Sequence, residues 1–260
     1  MRFTFLGTGT SHGIPVIGCD CAVCRSPDPR NRRLRASIWL EHAGRGLLVD
    51  TGPDLRAQAL RAHLPRVDAV CCTHAHADHI FGFDDLRRFY EMQGAPIPVY
   101  AAPATLAELR RLFAYVEIPQ PESTSFLRVA FTPLTDPHAW HGLTITPVPV
   151  FHGRALIHGF VFAADGRRLG YVPDCSGWPP ASQTALSGLD VLVLDALRPE
   201  PHPTHFCLAD ALAAIATLAP RQAYLTHLCH RLEHRQTQAA LPPGVDVAYD
   251  GLVVDLRGSC

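Results

Sequence analysis

No apolar run in this sequence approaches the roughly 18 residues a membrane-spanning helix needs, so no span is expected. A signal-peptide core is missing too. Met1-Arg-Phe-Thr-Phe-Leu-Gly7 carries one positive charge and a short apolar stretch, and it reads as a first strand. Net charge is nearly absent, −1 with a pI near 6.9, which removes the global basic field that non-specific nucleic-acid binders use. There is no internal repeat and no long linker, and 260 residues can bury a sizeable core. The expectation is a soluble cytoplasmic enzyme folded as one domain over residues 1–260, with no membrane or nucleic-acid partner. Cysteine is not scarce: nine in such a chain are thiols or metal ligands rather than disulfides.

What the chain concentrates is histidine, 15 in all, and three of them stand with a carboxylate in His74-Ala75-His76-Ala77-Asp78-His79. Imidazole nitrogen and carboxylate oxygen are good ligands for first-row divalent metals. At this composition, a His-x-His-x-Asp-His window arises by chance with a probability of roughly 0.003. The segment before it, Asp68 to Thr73, is short, apolar and β-prone. That places the cluster where a buried strand ends, the usual site location in sheets with parallel strands.

Residues 1 to 50 alternate apolar segments with glycine-rich turns and predict antiparallel strands. The Gly7-Thr-Gly-Thr-Ser-His-Gly13 loop lacks a full phosphate-cradle spacing, so backbone flexibility near the site is the expected role. Cys19-Asp20-Cys21-Ala22-Val23-Cys24 can wrap a tetrahedral zinc and wants a fourth ligand from elsewhere; the Cys-rich loop is set at about 18–35. The five arginines between 25 and 35 read as a solvated face. Asp50 ends a strand, where it can accept the N–H of a metal-bound histidine or cap the helix predicted over Leu55 to Leu64. Residues 116–140, rich in Pro, Ser and Thr, could shape a pocket or a lid. Further strands are predicted to end near His152, Asp174, Asp195 and His227, with Leu143 to His152 interrupted by its prolines.

A lone His or Asp at a strand end is usually structural. Here four strand ends together deliver seven ligands: His74, His76, Asp78, His79, His152, Asp174 and His227. One tetrahedral zinc cannot use seven, whereas two metals sharing a bridging carboxylate can.

With those ligands in view the chain resembles the metallo-β-lactamase superfamily over essentially its full length. The resemblance implies an α+β fold, a four-layer αββα sandwich with metals in a groove at the sheet edges. It also implies His74, His76 and His152 on one metal, Asp78, His79 and His227 on the other, and Asp174 between them. Gly7 to Ser11, Gly18 to Cys24, Pro201-His-Pro-Thr-His205 and Thr226-His-Leu-Cys-His230 are similar to the phosphoribosyl 1,2-cyclic phosphate phosphodiesterases of the carbon–phosphorus lyase pathway. That likeness implies a structural zinc on Cys19, Cys21, Cys24 and His230, with Cys229 a competing fourth ligand. It also gives His205 the protonation of the leaving group, where the residues alone suggest a solvated loop histidine. The implied cofactors are two divalent ions, Zn or Mn, plus one structural Zn. The implied partner is a small phosphorylated sugar, and a homodimer is compatible with the sequence.

The expected reaction is hydrolysis of 5-phosphoribosyl 1,2-cyclic phosphate to ribose 1,5-bisphosphate in phosphonate catabolism, by a metal-bridging hydroxide with Asp78, Asp174 and His205 as catalytic residues. Arg154 or Arg198 would meet substrate phosphate. The alternatives are a transfer RNA 3′-processing endonuclease, an acyl hydrolase of the same fold, and a non-enzymatic metal or cofactor carrier of cofactor biosynthesis.

Overall fold

The computed structural model describes residues 1–118 and 126–256. Six strands are laid down first: β1 (Arg2–Gly7), β2 (Ser37–His42), β3 (Arg45–Val49), β4 (Ala69–Cys71), β5 (Ile97–Ala101) and β6 (Val129–Pro133). A second series follows: β7 (His138–Trp140), β8 (Leu143–His152), β9 (Ala155–Ala164), β10 (Arg167–Val172), β11 (Val191–Asp195), β12 (Gln222–Thr226) and β13 (Val245–Val247). The last strand, β14 (Val253–Asp255), returns to the first sheet beside β1. Two seven-stranded sheets result, ordered β14-β1-β2-β3-β4-β5-β6 and β13-β12-β11-β10-β9-β8-β7.

Alternation decides the layers. Phe3, Phe5, Ile38, Leu40, Leu47 and Val49 from the first sheet meet Ile145, Phe160, Phe162, Tyr171 and Val193 from the second in one shared core. The opposite faces take the helices. Helices α1 (Leu55–Arg61), α3 (Leu86–Gln93) and α4 (Pro103–Leu112) cover Leu48, Val70 and Val99, while α5 (Pro180–Leu186) and α6 (Leu208–Leu218) cover Val161, Leu192 and Leu194. The short α2 (Ala77–Ile80) and α7 (His234–Ala240) complete the set. This is the expected αββα sandwich, and each fully buried Phe, Leu or Ile in it contributes about 1.5–3 kcal/mol.

Two expectations change. The segment 143–152 is one continuous strand despite Pro147 and Pro149. β7 pairs only with Leu143 to Ile145, so both prolines sit where the outer side of β8 has no partner and no N–H is needed. The glycine loop is also not a flexible element. A Cβ at Gly7 would collide with the Arg35 carbonyl and one at Gly9 with Arg33, while Leu228 N–H donates to the Thr8 carbonyl (2.9 Å). The loop is therefore locked between the arginine-rich segment and the end of β12. Of the 116–140 segment, 119–125 lie outside the described residues, and the rest supplies β6 and β7. Among the described residues, no helix is long and apolar enough to cross a membrane.

Candidate active site

β3, β4, β10, β11 and β12 finish at one edge of the sandwich, beside the end of β8. β10 to β12 run parallel in register, as do β3 and β4, so their C-terminal ends bring the following residues together. His74 follows β4, and His76 precedes α2, which carries Asp78 and His79. His152 closes β8, Asp174 follows β10, and His227 follows β12. The seven side chains converge. Ligand-type atoms of His74, His76 and His152 lie within 4.8 Å of one another, as do those of Asp78, His79 and His227. Asp174 faces both groups: its carboxylate falls within 4.8 Å of ligand-type atoms of His74 and His79, with Oδ2 at 2.7 Å from His79 Nε2 and Oδ1 at 3.3 Å from His227 Nε2.

The backbone is shaped to make this possible. Asp50 and His227 both adopt left-handed φ, 64° and 57°, which costs a non-glycine residue of order 1 kcal/mol and is retained where a site demands it. Gly52 and Gly82 serve a close approach: a Cβ on Gly52 would strike the Asp78 carbonyl and one on Gly82 the Gly52 carbonyl. Thr51 N–H donates to the His79 carbonyl at 2.7 Å, so the Asp50-Thr51-Gly52 turn clamps α2 directly.

Three of the five rings, those of His79, His152 and His74, are aimed by a partner on the other nitrogen. Asp50 Oδ2 takes His79 Nδ1 (2.8 Å) and is itself held by the Thr73 N–H and hydroxyl. The Thr204 carbonyl takes His152 Nδ1 (2.9 Å), and Thr73 Oγ1 meets His74 Nδ1 (3.0 Å). Asp50 thus stands where a carboxylate fixes a histidine tautomer. Burial pushes the His74 pKa well below the usual value and that of His152 down to about 4, leaving both rings neutral with lone pairs available. Burial would also depress His79, but the carboxylates of Asp174 and Asp50 on either side raise it well above. With Nδ1 committed to Asp50, His79 Nε2 presents a lone pair to a carboxylate oxygen unless a proton or a cation lies between. His74 Nε2 and His227 Nε2 are buried without hydrogen-bond partners. Unpaired buried polar atoms are costly, and this set fits divalent cations.

Two histidines outside the motif join the cluster. The His205 ring stands 5.0 Å from that of His227 and 4.6 Å from that of His152. It belongs to the site rather than to a solvated loop. His202 lies 5.1 Å from His205. The strand-end carboxylate that sequence reasoning left out is Asp195. It is fully buried, accepts from His205 Nδ1 (2.7 Å) and the Cys175 N–H (3.0 Å), and reaches to 3.9 Å from His227 Nδ1. The signal was present, since β11 ends in an Asp at the same level as β10. Burial lowers the His205 pKa, opposed by Asp174 and Asp78, and burial raises that of Asp195.

The second cluster is separate. His230 Nδ1 lies 3.2, 3.5 and 3.6 Å from the sulfurs of Cys19, Cys21 and Cys24. Cys229 stands outside the group, its sulfur accepting from the Arg231 N–H at 3.4 Å. The Cys24 N–H bound to Cys21 sulfur lowers that thiol to about 6, the metal-ligating form, while burial raises Cys24 to about 11, a penalty a bound cation would offset. A cavity of about 340 Å³ opens between the clusters, with His205, His227 and His230 in its wall. Arg198 lines it and Arg154 does not.

Comparison with known proteins bears on the family and the fold. Residues 45–228 match the family described as "Beta-lactamase superfamily domain". The crystal structure of a diphosphatase from the PhnP family is similar at 40% identity and a TM-score of 0.90, covering 98% of each chain. Zinc-bound PqqB from Methylobacterium extorquens shares the fold at 22% identity and a TM-score of 0.80, covering 98% of this chain and 100% of that one. An octanoyltransferase of Porphyromonas gingivalis is 33% identical over 99% of this chain, and the chain spans only 52% of that relative.

Proposed function

This chain belongs to the β-lactamase superfamily, as a metal-dependent hydrolase of the metallo-β-lactamase fold, and on that premise we propose that it is a phosphodiesterase that opens a small cyclic phosphodiester. The observation that carries the reading is the junction of seven ligand-type side chains with a carboxylate-held histidine, His205, beside a cavity whose wall includes His205 and His227. His74, His76 and His152 would hold one divalent ion, Zn or Mn, and Asp78, His79 and His227 a second, with Asp174 facing both. Ions bound there would supply Lewis acidity to the phosphoryl oxygens and bring the pKa of a water toward ~7.

The protein's own groups do the rest. Asp50 and the Thr204 carbonyl keep Nε2 of His79 and His152 directed into the groove. Asp195 fixes Nδ1 of His205, leaving Nε2 free to pass a proton to the departing sugar oxygen, a step worth ~10² to 10⁴ in rate. An anionic substrate beside His205 favours its imidazolium and so offsets the effect of burial. Cys19, Cys21, Cys24 and His230 would carry a structural zinc that holds the far wall of the cavity. The similarity to a diphosphatase supports phosphorus as the centre attacked. The substrate to examine first is 5-phosphoribosyl 1,2-cyclic phosphate, giving ribose 1,5-bisphosphate. The test is metal analysis of pure protein joined to a panel of cyclic diesters, linear diesters, a thioester and a β-lactam. About three ions per chain and a preference for the cyclic diester are expected; turnover of the thioester or lactam alone would replace the reading with acyl hydrolysis.

A further inference from the structure

The arginines between 25 and 35 are not all the solvated face that the sequence suggests. Arg33 is the largest of the fully buried side chains among the described residues, 1% exposed. Taking a guanidinium out of water is costly unless its donors are satisfied and its charge is opposed. Here Nη1 donates to the Thr8 hydroxyl oxygen (2.8 Å) and to the Ala248 carbonyl (2.5 Å), and Nη2 lies 3.4 Å from His234 Nδ1. The Thr8 hydroxyl donates in turn to Asp250 Oδ1 (2.8 Å), while Asp250 Oδ2 accepts from the Leu34 N–H (2.8 Å) and from Arg61 (3.1 Å). Thr8 is locked from both sides. It is fully buried and set back from the cavity, whose lining on this segment starts at Thr10.

What the lock holds is the end of β12. The Thr8 carbonyl accepts the Leu228 N–H (2.9 Å), and Gly9 pairs with Leu228 as an isolated bridge. Leu228 follows His227, whose φ of 57° is left-handed. The rings of His79, His152 and His74 are aimed through their second nitrogen, but His227 Nδ1 is buried without a hydrogen-bond partner, with Asp195 Oδ1 3.9 Å away. Its Nε2 nonetheless lies 3.3 Å from Asp174 Oδ1. With no partner on the ring, direction falls to the backbone, and a left-handed non-glycine residue persists only where its surroundings hold it.

We propose that Thr8 is a positioning residue for His227: its hydroxyl, gripped by Arg33 and Asp250, fixes the carbonyl that binds Leu228 and so holds His227 in the conformation that turns Nε2 into the groove. The inference rests on the reading of His227 as a ligand of the second groove ion. Thr8→Val keeps the shape and removes the hydroxyl, and Thr8→Ser keeps the hydroxyl. Equilibrium dialysis of the full chains against zinc counts the ions and gives their affinities. Thr8→Val weakens one ion by about 10- to 100-fold, the effect of losing a group that orients a ligand, and leaves the others as they are. Thr8→Ser restores it. In the Asp78→Ala background, which lacks that ion already, Thr8→Val costs no further ion. A lower melting temperature with every ion held at wild-type affinity marks a structural role only and overturns the proposal. A further ion lost in the Asp78→Ala background overturns it too, as does a Thr8→Ser protein no better than Thr8→Val. If Thr8→Val does not fold, Arg33→Met, which leaves Thr8 bonded to Asp250, is judged by the same ion counts in the same two backgrounds. A wild-type chain that holds both groove ions but hydrolyses no diester fails the phosphodiesterase reading alone, since the ion affinities decide the role of Thr8 without turnover.

Discussion

His227 and His230 stand three residues apart, yet the two clusters they serve are built on opposite principles. The cysteine cluster draws three of its four members from one six-residue loop, and a single distant histidine completes it. The groove draws its members from the ends of several strands between 74 and 227, and three of its five rings are aimed by a second residue. A cluster made by a loop needs only that loop to be closed. A cluster made by strand ends exists only when both sheets are in register. Loss of a member should therefore act on stability in the first case and on chemistry in the second.

The sharpest test of that contrast is Asp174→Ala. Because Asp174 faces both halves of the groove, both groove ions and all turnover should disappear while the cysteine cluster keeps its ion. Metal analysis and diester hydrolysis check this, and wild-type turnover in a metal-free variant would contradict it. Cys21→Ser should do the reverse, with one ion lost, stability lowered by several kcal/mol in chemical denaturation, and the groove ions retained. Unchanged melting and zinc content would dissolve the distinction. Asp195→Asn should cost about 10² in kcat on alkyl cyclic esters and much less on bis(p-nitrophenyl) phosphate, whose leaving group needs no proton. An equal loss on both would make Asp195 structural. The smallest effect is acid sensitivity. His152 in the groove and His234 beside Arg33 both have folded-state pKa values of about 4 against an ordinary 6.5, through burial. The unfolded chain takes up these protons below about 6.5 while the fold refuses them until about 4, so the stability of metal-stripped protein should fall as pH drops through that window. His234→Gln should flatten the slope, and a melting temperature constant from pH 6.5 to 4 would contradict the assignment.

The elements that were legible in the sequence are those with strong local patterns. The strand before His74, the helix over Leu208 to Leu218 and the strand ends at 152, 174 and 227 are found where periodicity places them. The misreadings came where a residue's role depended on a distant neighbour. Pro147 and Pro149 look like strand breakers until β7 is seen to stop short of them. Gly7 and Gly9 suggest looseness until Arg33 and Arg35 are seen packed against them. Asp195 was visible as a strand end but had no local reason to stand out, because its meaning is the contact with His205 ten residues on.

The sequence by itself determined the ligand chemistry, since imidazoles, carboxylates and thiols at these spacings suit few purposes besides metals, and it determined the alternation that sorts two sheets into four layers. The tertiary structure alone decided which side chains share a site. It chose His230 over Cys229 and drew His205 into the groove. Spacing along a chain reports which groups are available, whereas distance in space decides which of them can act on the same atom.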